Sequence, residues 1–255
     1  MTRQFAPMTS RQEAALLSMD SPKAIKADKY GWVNGIHYLA PANLAGEGDV
    51  CSHRSIECTK FCLGEESGQA AMHKPGELSS VQKSRREKTR RFMRDRKNYL
   101  GSLVRSITKA RSRAAKLGKP LCVRLNGSSD IAWEAIRVGE KALQSIIDMF
   151  PDIQFVDYTK NPLRLKRKLP ANYHLTFSRS EVNEADCLEA LRLGFNVAVI
   201  FAGQKPGTYL GRPVIDGDAH DLRHLDPRDP QGVIVGLTPK GLKMKRSDTP
   251  FKVAA

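Results

Sequence analysis

The chain has 255 residues, of which 40% are hydrophobic and 27% are charged. A chain of this length can bury a full-sized core in one domain, and the composition is ordinary for a globular protein. It contains no apolar run near the roughly 20 residues that a membrane span needs, and its N-terminus lacks the continuous apolar stretch of a signal peptide. These features argue against a membrane protein and predict a cytoplasmic one.

Positive charge is concentrated in one segment of the chain. The chain has 42 Lys and Arg residues and 27 Asp and Glu residues. Fifteen of the basic residues lie between Lys83 and Lys119, whereas the same segment contains two acidic residues. Apolar residues recur along this segment at helical spacing, and Gly118 provides a stop signal. We therefore predict one long amphipathic helix over 83–117, with a bend at Gly101.

Strand-like and helical segments alternate along the chain. The predicted strands are 35–41, 121–127, 153–159, 173–178, 196–201 and 232–237, and the predicted helices outside the basic segment are 133–150 and 182–194. This alternation predicts an α/β domain over 31–241 with about six mainly parallel strands. The strands would form either a partial or full (β/α) barrel or an open, doubly wound sheet. Residues 1–30 form a lead-in, and residues 242–255 form a basic tail that we expect to be loosely ordered.

Three cysteines lie in the loop after the first predicted strand. Cys51, Cys58 and Cys62 have the spacing C-x6-C-x3-C, and thiolates bind soft metal ions and iron–sulfur clusters. Three ligands leave one coordination position open, where a substrate or cofactor can bind. We therefore predict an iron–sulfur cluster at these residues. The alternatives are a closed zinc site with His53 as the fourth ligand and three small buried side chains without a metal.

The other two cysteines have different surroundings. Cys122 begins an apolar strand, and Cys187 occupies the apolar face of a predicted helix. A disulfide framework is not expected, because the cytoplasm is reducing and the chain is long enough to fold without one. Both residues are therefore predicted to pack in the core rather than to bind a metal.

Polar residues follow the predicted strands at their carboxyl ends. In parallel sheets the chemistry lies at this edge, because the strand ends meet there. The residues that we predict to bind a cofactor are Asn126, Ser128, Ser178, Arg179 and Asp218. The residues that we predict to act in catalysis are Asp130, Glu181, Asp216 and His220.

The segment VIDGDAHDLRHLDP, at 214–227, is dense in acidic and histidine side chains. Asp216, Asp218 and His220 alternate and would point the same way on an extended segment. Carboxylates and imidazoles this close can bind a hard cation, act as general acid and base, or hold the ribose of a nucleoside cofactor. The alternative is a solvated turn in which the acidic residues pair with nearby arginines.

The charge imbalance of the basic helix predicts a polyanionic partner. Like charges at this density repel one another unless a polyanion is near, and the phosphates of DNA or RNA are its natural source. The residues that we predict to contact phosphates are Arg85, Arg86, Arg90, Arg91, Arg94 and Lys97. Aromatic residues make up 7% of the chain, which favours flipping one base into the barrel mouth over stacking along a single strand. The alternative is an ordinary solvated helix face.

The order of elements and the three-cysteine loop resemble the radical S-adenosylmethionine superfamily. That superfamily has a partial barrel of six strand–helix units with its cluster cysteines after the first strand, although their usual spacing is C-x3-C-x2-C. The resemblance implies a 4Fe-4S cluster whose open iron binds S-adenosylmethionine and whose electron cleaves it to a 5′-deoxyadenosyl radical. A reductase partner would supply that electron.

Four separated motifs are similar to a family of bacteriophage proteins known as gene product 88. They are PANLAGEGDVCSHRSIECTKFCLG at 41–64, VRLNGSSDIAWE at 123–134, LPANYHLTFSRSE at 169–181 and, within 214–241, VIDGDAHDLRHLDP followed by GVIVGLTPKG. The resemblance implies a phage origin, and with it the host cytoplasm, but leaves the activity undetermined.

Taken together, these patterns predict an isomerase or base-modifying enzyme of the radical S-adenosylmethionine type. Its expected substrate is a hypermodified base in phage DNA, a thymine derivative, whose modification would evade restriction. One alternative is a base-exchange transglycosylase with structural zinc, in which Asp130 or Asp216 would be the nucleophile. The other is a metal-bearing DNA-binding protein without turnover.

Overall fold

The computed structural model describes residues 5–74, 76–139, 143–227 and 229–254. Its helices are α1 (Ser10–Ala14), α2 (Pro22–Asp28), α3 (Ile56–Lys60), α4 (Leu63–Glu66), α5 (Ser80–Arg94), α6 (Arg96–Lys116), α7 (Glu184–Arg192) and α8 (Leu242–Arg246). Its strands are β1 (Leu17–Ser18), β2 (Val33–His37), β3 (Leu121–Arg124), β4 (Arg137–Val138), β5 (Gln144–Ser145), β6 (Gln154–Thr159), β7 (Tyr173–Ser178), β8 (Val197–Ile200), β9 (Thr208–Tyr209), β10 (Arg212–Asp216) and β11 (Ile234–Leu237).

Nine of these strands form one sheet, in the order β1-β2-β3-β6-β7-β8-β11-β10-β9. The seven strands from β2 to β10 pair in parallel, and β1 and β9 pair antiparallel at the two edges. The prediction of a mixed α/β fold with a mainly parallel sheet is confirmed. The sheet has more strands than the six expected, because short edge strands and β10 extend it. Among the described strands the two edges do not pair, so a closed barrel is not confirmed.

The two faces of the sheet differ in character. Alternate residues of a strand point to opposite faces, and on one face Val123, Phe155 and Phe177 join the main hydrophobic core. Leu103 and Ile107 of α6 belong to the same core and are fully buried. The sheet therefore buries this apolar face against the basic helix pair, and its opposite face carries a smaller hydrophobic cluster that includes Cys122 and Val156.

The basic segment forms two helices rather than one. α5 ends at Arg94 and α6 begins at Arg96, because Asp95 between them has φ −136° and ψ 54°, outside the helical region. Gly101, where a bend was expected, lies within α6. The prediction of a continuous helix over 83–117 is therefore wrong at Asp95, where the helix is interrupted.

The predicted helix over 133–150 is also wrong. Residues 133–135 form a short 3-10 turn, and β4 and β5 then form a two-stranded antiparallel sheet. Residues 140–142 lie outside the described part of the chain. By contrast, the predicted helix over 182–194 is confirmed as α7.

His37 ties three elements together at the carboxyl end of β2. Its Nδ1 lies 2.9 Å from the carbonyl oxygen of Leu125, so this nitrogen carries the proton and donates. The hydroxyl of Tyr99 in α6 then donates to Nε2 at 2.7 Å. Burial lowers the pKa of His37 to about 3, so the ring stays neutral in the folded protein.

In the part of the chain that the structure covers, none of the helices has the length and apolar character needed to cross a bilayer.

Candidate metal centre and its cavity

A cavity of about 220 Å³ lies at the carboxyl ends of the parallel strands. Residues at or just after the ends of β3, β6, β7, β8 and β11 form its walls, together with the cysteine loop after β2. The lining includes all three predicted metal ligands, namely Cys51, Cys58 and Cys62. It also includes four predicted cofactor-binding residues and one predicted catalytic residue, namely Asn126, Ser128, Ser178, Arg179 and Asp130. Most of the predicted site residues therefore lie together at the carboxyl ends of the strands, as expected for a parallel sheet.

The cysteine loop closes tightly against the loop that follows β3. The Cys51 thiol lies 3.8 Å from the carbonyl oxygen of Ser128 and accepts from the backbone N–H of Ala42 at 3.4 Å. Gly64 lies beside Ser128, and a Cβ atom at this glycine would be 2.7 Å from the Ser128 Cβ and 3.4 Å from the Cys62 Sγ. A glycine at residue 64 therefore lets the two loops approach each other.

Glu181 fixes the start of the helix that carries Cys58. Ser55 caps α3 by accepting from the Cys58 N–H at 3.1 Å. The Ser55 hydroxyl in turn donates to Glu181 Oε2 at 2.8 Å, and the Glu57 N–H donates to Oε1 at 3.2 Å. Both oxygens of Glu181 are engaged and the residue lies outside the cavity lining. Its contacts favour a positioning role over the predicted catalytic one.

The thiols influence one another electrostatically. Burial raises the pKa of Cys51 to about 12 and that of Cys62 to about 11, and repulsion from the neighbouring thiolates adds to both shifts. A cationic metal centre would reverse the effect, because it stabilises the thiolate form.

The described residues contain no preformed site for a single metal ion. Among the residues that the structure describes, no group of three or more His, Cys, Asp and Glu side chains converges on one metal-ion position. A cubane cluster binds each thiolate at a different iron, so its ligands need not meet at one point. His53, the expected fourth ligand of zinc, is exposed and hydrogen-bonds to Ser52 at 2.9 Å, outside the cavity.

The two remaining cysteines pack as predicted. Cys122 and Cys187 are both fully buried and belong to hydrophobic clusters on opposite sides of the sheet. Neither lines the cavity. They therefore serve as matched controls for the three cavity thiols.

Asp130 lies in the cavity wall, where it holds Lys160 in place. Its Oδ1 accepts from Thr159 Oγ1 at 2.7 Å and from Arg164 Nη1 at 3.0 Å, and its Oδ2 accepts from the Lys160 N–H at 2.8 Å. Lys160 Nζ then donates to Ser178 Oγ at 3.1 Å. Because both carboxylate oxygens are engaged, a role as nucleophile or proton donor is not favoured for Asp130.

The cavity lining is positively charged. It contains five basic residues, Arg54, Arg124, Lys160, Arg179 and Lys240, and two acidic ones, Asp130 and Asp221. Arg124 stacks on the ring of Tyr158, with its guanidinium carbon 4.6 Å from the ring centre, and Lys160 donates to Ser178 Oγ. This excess suits a centre that carries three thiolates and a ligand with anionic groups.

Two predicted cofactor-binding residues at the strand ends mainly support the backbone. Asn126 Oδ1 accepts from Ser129 Oγ at 2.8 Å and from the Trp133 indole N–H at 3.0 Å, and its Nδ2 donates to Ile131 O at 2.9 Å. Ser128 Oγ donates to the Leu39 carbonyl. These bonds shape the loop after β3.

The C-terminal segment covers one side of the cavity instead of forming a loose tail. Met244 and Phe251 line the cavity and pack with Phe61 of the cysteine loop. Arg179 donates to the Phe251 carbonyl at 3.1 Å. The sequence does not predict that these apolar residues line a cavity, because they are too widely spaced along the chain to form an amphipathic pattern.

Backbone contacts fix the same segment to the sheet. Val253 donates to the Ile200 carbonyl at 2.8 Å and accepts from the Ala202 N–H at 2.8 Å, as an added strand would. The Thr249 hydroxyl donates to the carboxylate of Glu57 beside Cys58. The C-terminus and the cysteine loop therefore form one wall.

Asp221 of the acidic–histidine segment lines the cavity, but Asp216, Asp218 and His220 do not. Asp216 and Asp218 share Lys205, and Asp218 also pairs with Lys240 at 2.9 Å. Burial acts to raise the pKa of Asp218, but the hydrogen bonds from both lysines outweigh it and hold this pKa well below its usual value. His220 is separate from the pair and packs edge-on against Tyr30. The arrangement favours ion pairing over the predicted catalytic and cofactor roles.

The arginines of α5 are mostly engaged within the chain. Arg86 pairs with Glu65, Arg91 with Glu87 and Arg94 with Glu47, while Arg85 and Arg90 donate to the carbonyls of Gly64 and Ala45. Acidic residues distant in sequence thus neutralise charges that appear unbalanced within the segment. Lys97 is exposed and forms no ion pair with the described residues.

The fold and the site together define a mainly parallel α/β protein with a three-cysteine cavity at the carboxyl ends of its strands. The family model for gene product 88 matches residues 10–252. The chain therefore belongs to this family of bacteriophage proteins. Comparison with curated proteins and with solved structures gave no match.

Proposed function

We propose that this protein is an iron–sulfur enzyme of the radical S-adenosylmethionine type that modifies a base in phage DNA. The observation that carries the proposal is that three cysteines from one loop line a single cavity at the carboxyl ends of parallel strands. This is the edge of a parallel sheet where active sites form.

The order of the strands supports the proposal. The cysteine loop follows β2, the first parallel strand, and β3, β6, β7, β8 and β11 are then added one beside the next. This succession is the one expected of a partial barrel. When bound, the cluster would supply one electron for the reductive cleavage of S-adenosylmethionine, which yields a radical able to remove a hydrogen atom from the substrate.

The chain's own residues would bind and shield the reactants. Lys160 and Arg124 offer cationic groups to carboxylate or phosphate oxygens inside the cavity, and Ser178 offers a hydroxyl beside Lys160. Phe61 and Phe251 exclude water from the side that the C-terminal segment covers. A dry, positively charged cavity would protect a reactive intermediate from side reactions.

The nucleic-acid part of the proposal rests on charge and on the family. The chain carries a net charge of +15, and it belongs to a family of bacteriophage proteins. A base flipped out of the duplex would enter the cavity, and a thymine derivative is the substrate that we propose. The zinc transglycosylase is less favoured, because the oxygens of Asp130 are engaged and His53 does not line the cavity.

The first experiment measures the metal centre. Protein purified without oxygen is expected to be brown and to contain iron and acid-labile sulfide, and Cys51→Ala, Cys58→Ala and Cys62→Ala are expected to lose both. Cys187→Ala, which removes a buried thiol outside the cavity, is expected to keep them. A colourless protein with one zinc per chain would contradict the proposal.

The second experiment measures the reaction. After reduction, the loaded protein is expected to convert S-adenosylmethionine to 5′-deoxyadenosine and methionine, and phage DNA is expected to increase this turnover. A stable cluster without such cleavage would instead indicate a DNA-binding protein that carries a passive centre.

A further inference from the structure

A second large concavity lies at the corner between α5 and α6, and we name it the corner groove. It has a volume of about 700 Å³ and is lined by residues 6–8, the start of α6, and Arg137. Its basic residues are Arg91, Arg96, Lys97, Arg105 and Arg137, and its acidic residue is Asp95. Arg91, Arg105 and Arg137 pair with carboxylates outside the lining, so the unpaired positive charge of the groove, within the described residues, lies on Arg96 and Lys97.

The cations at the start of α6 are available to a ligand. Among the described residues, neither Arg96 nor Lys97 pairs with a carboxylate, and both are exposed. Arg96 instead stacks on Phe92, with its guanidinium carbon 4.8 Å from the ring centre. The carboxylate of Asp95 is held by the Asn98 amide at 2.9 and 3.1 Å.

The start of α6 adds to this positive field. α6 has 21 residues and no side-chain cap at its first turn, so the positive end of its dipole is directed at the groove. The arginines of α5 differ, because Arg85, Arg86 and Arg90 are half-buried and donate to carbonyls or a carboxylate of the chain itself. The arginines of α5 are therefore less available to a ligand than Arg96 and Lys97 at the corner.

The corner and the catalytic cavity lie at the same end of the sheet. Tyr99, in the first turn of α6, contacts His37 at the carboxyl end of β2. A Cβ at Gly48, in the cysteine loop, would lie 3.5 Å from Met93, and Arg94 pairs with Glu47 in that loop. A nucleic acid that presents a base to the cavity would bring flanking phosphates toward this corner.

We infer that the corner groove binds the phosphate backbone of the DNA substrate, with Arg96 and Lys97 as its main phosphate contacts. The inference rests on the proposed function for the identity of the polyanion. It replaces α5 with the start of α6 as the nucleic-acid-binding surface. Phosphate contacts of this kind hold the duplex in register and carry no sequence information.

The test compares two double variants of the full chain in binding to a fluorescently labelled DNA duplex. Arg96→Gln with Lys97→Gln is expected to weaken binding about tenfold or more, and to reduce the slope of log affinity against log salt by about 2. Arg111→Gln with Arg113→Gln makes the same charge change on the same helix outside the groove. This control is expected to change affinity less than about threefold, within the range of general electrostatic effects. Arg96→Lys with Lys97→Arg keeps both charges and is expected to keep the affinity.

Two outcomes would overturn the inference that the corner groove binds DNA. One is an equal loss of affinity in both glutamine variants, which would indicate bulk charge, and the other is a wild-type protein that does not bind DNA. Iron content and cleavage of S-adenosylmethionine without DNA are measured on the same proteins, and the groove variants are expected to keep both. Selective loss of binding in a protein without a cluster would support the groove while refuting the enzyme.

Discussion

Asp130 lines the cavity, but its hydrogen bonds favour a positioning role over the catalytic role that its carboxylate suggests. Its carboxylate accepts three hydrogen bonds, and the fully buried Arg164 is one of the donors. The most direct consequence of these bonds is the placement of Lys160, whose ammonium group lies inside the cavity. Asp130 is thus a positioning residue for a cation.

Asp130→Asn is expected to reduce cleavage of S-adenosylmethionine by about 10- to 100-fold, as loss of a supporting hydrogen bond does at metal sites. The amide cannot accept hydrogen bonds at both of its ends, so the Lys160 backbone loses its anchor. The effect should fall mainly on KM, because Lys160 is the residue that we propose binds the ligand, and the iron content should not change. Asp152→Asn, an exposed change of the same kind, is expected to leave KM at the wild-type value.

Gly64→Ala tests the close approach of the two loops. The added methyl group would meet Ser128 at 2.7 Å, and overpacking of this kind typically costs about 1–3 kcal/mol. We expect less iron per chain after reconstitution, because the loop that carries Cys62 must move. Gly203→Ala adds the same methyl group where nothing lies within 4 Å. An equal loss of iron in both variants would show that the contact does not shape the site.

The sequence predicted the position of site residues better than their roles. Asn126, Ser128, Ser178 and Arg179 reach the cavity because strand ends meet at one edge of a parallel sheet. Which donor each oxygen meets depends on loops that pack far apart in sequence, such as the contact of Glu181 with the start of α3. No local pattern encodes such a partner.

At the level of elements, the basic segment and the C-terminus both depart from expectation. The apolar periodicity of the basic segment was read correctly, but the break at Asp95 was not, because neither a glycine nor a proline marks it. The short α8 and the strand-like contact of Val253 depend on partners in β8 and the cysteine loop. Their order comes from tertiary contacts rather than from propensity.

Removal of residues 249–255 is expected to expose the cavity without unfolding the protein, because the sheet and α8 remain. Water and oxygen would then reach the cluster, so its visible absorption should bleach several-fold faster in air. Phe251→Leu keeps an apolar side chain at the wall and is expected to bleach at the wild-type rate. Equal bleaching of the truncated and full-length chains would show that the segment does not shield the centre.

For the molecule as a whole, stability should depend on pH through His37. Its pKa is about 3 in the folded protein against 6.5 for an unperturbed histidine, so the unfolded chain binds the proton more tightly. The contribution of His37 is fully present above pH 6.5 and is lost as the pH falls from 6.5 toward 3. The loss amounts to about 1.4 kcal/mol per pH unit across that window.

Denaturant unfolding at several pH values measures this dependence. His37→Gln is expected to be less stable at neutral pH but to lose about 1.4 kcal/mol less per pH unit between pH 6.5 and 3 than the wild type does. His73→Gln changes an exposed histidine and should follow the wild-type curve. Parallel curves for all three proteins would show that His37 titrates normally.

The cavity wall formed by residues 249–253 has a consequence for the order in which the site is completed during folding. Residues 249–253 follow Cys51, Cys58 and Cys62 along the chain, so they leave the ribosome after the thiols that they cover, and domains fold as synthesis proceeds. The proposed cluster would therefore be inserted before the C-terminal segment covers the cavity. Docking of Phe251 would then enclose the bound cluster.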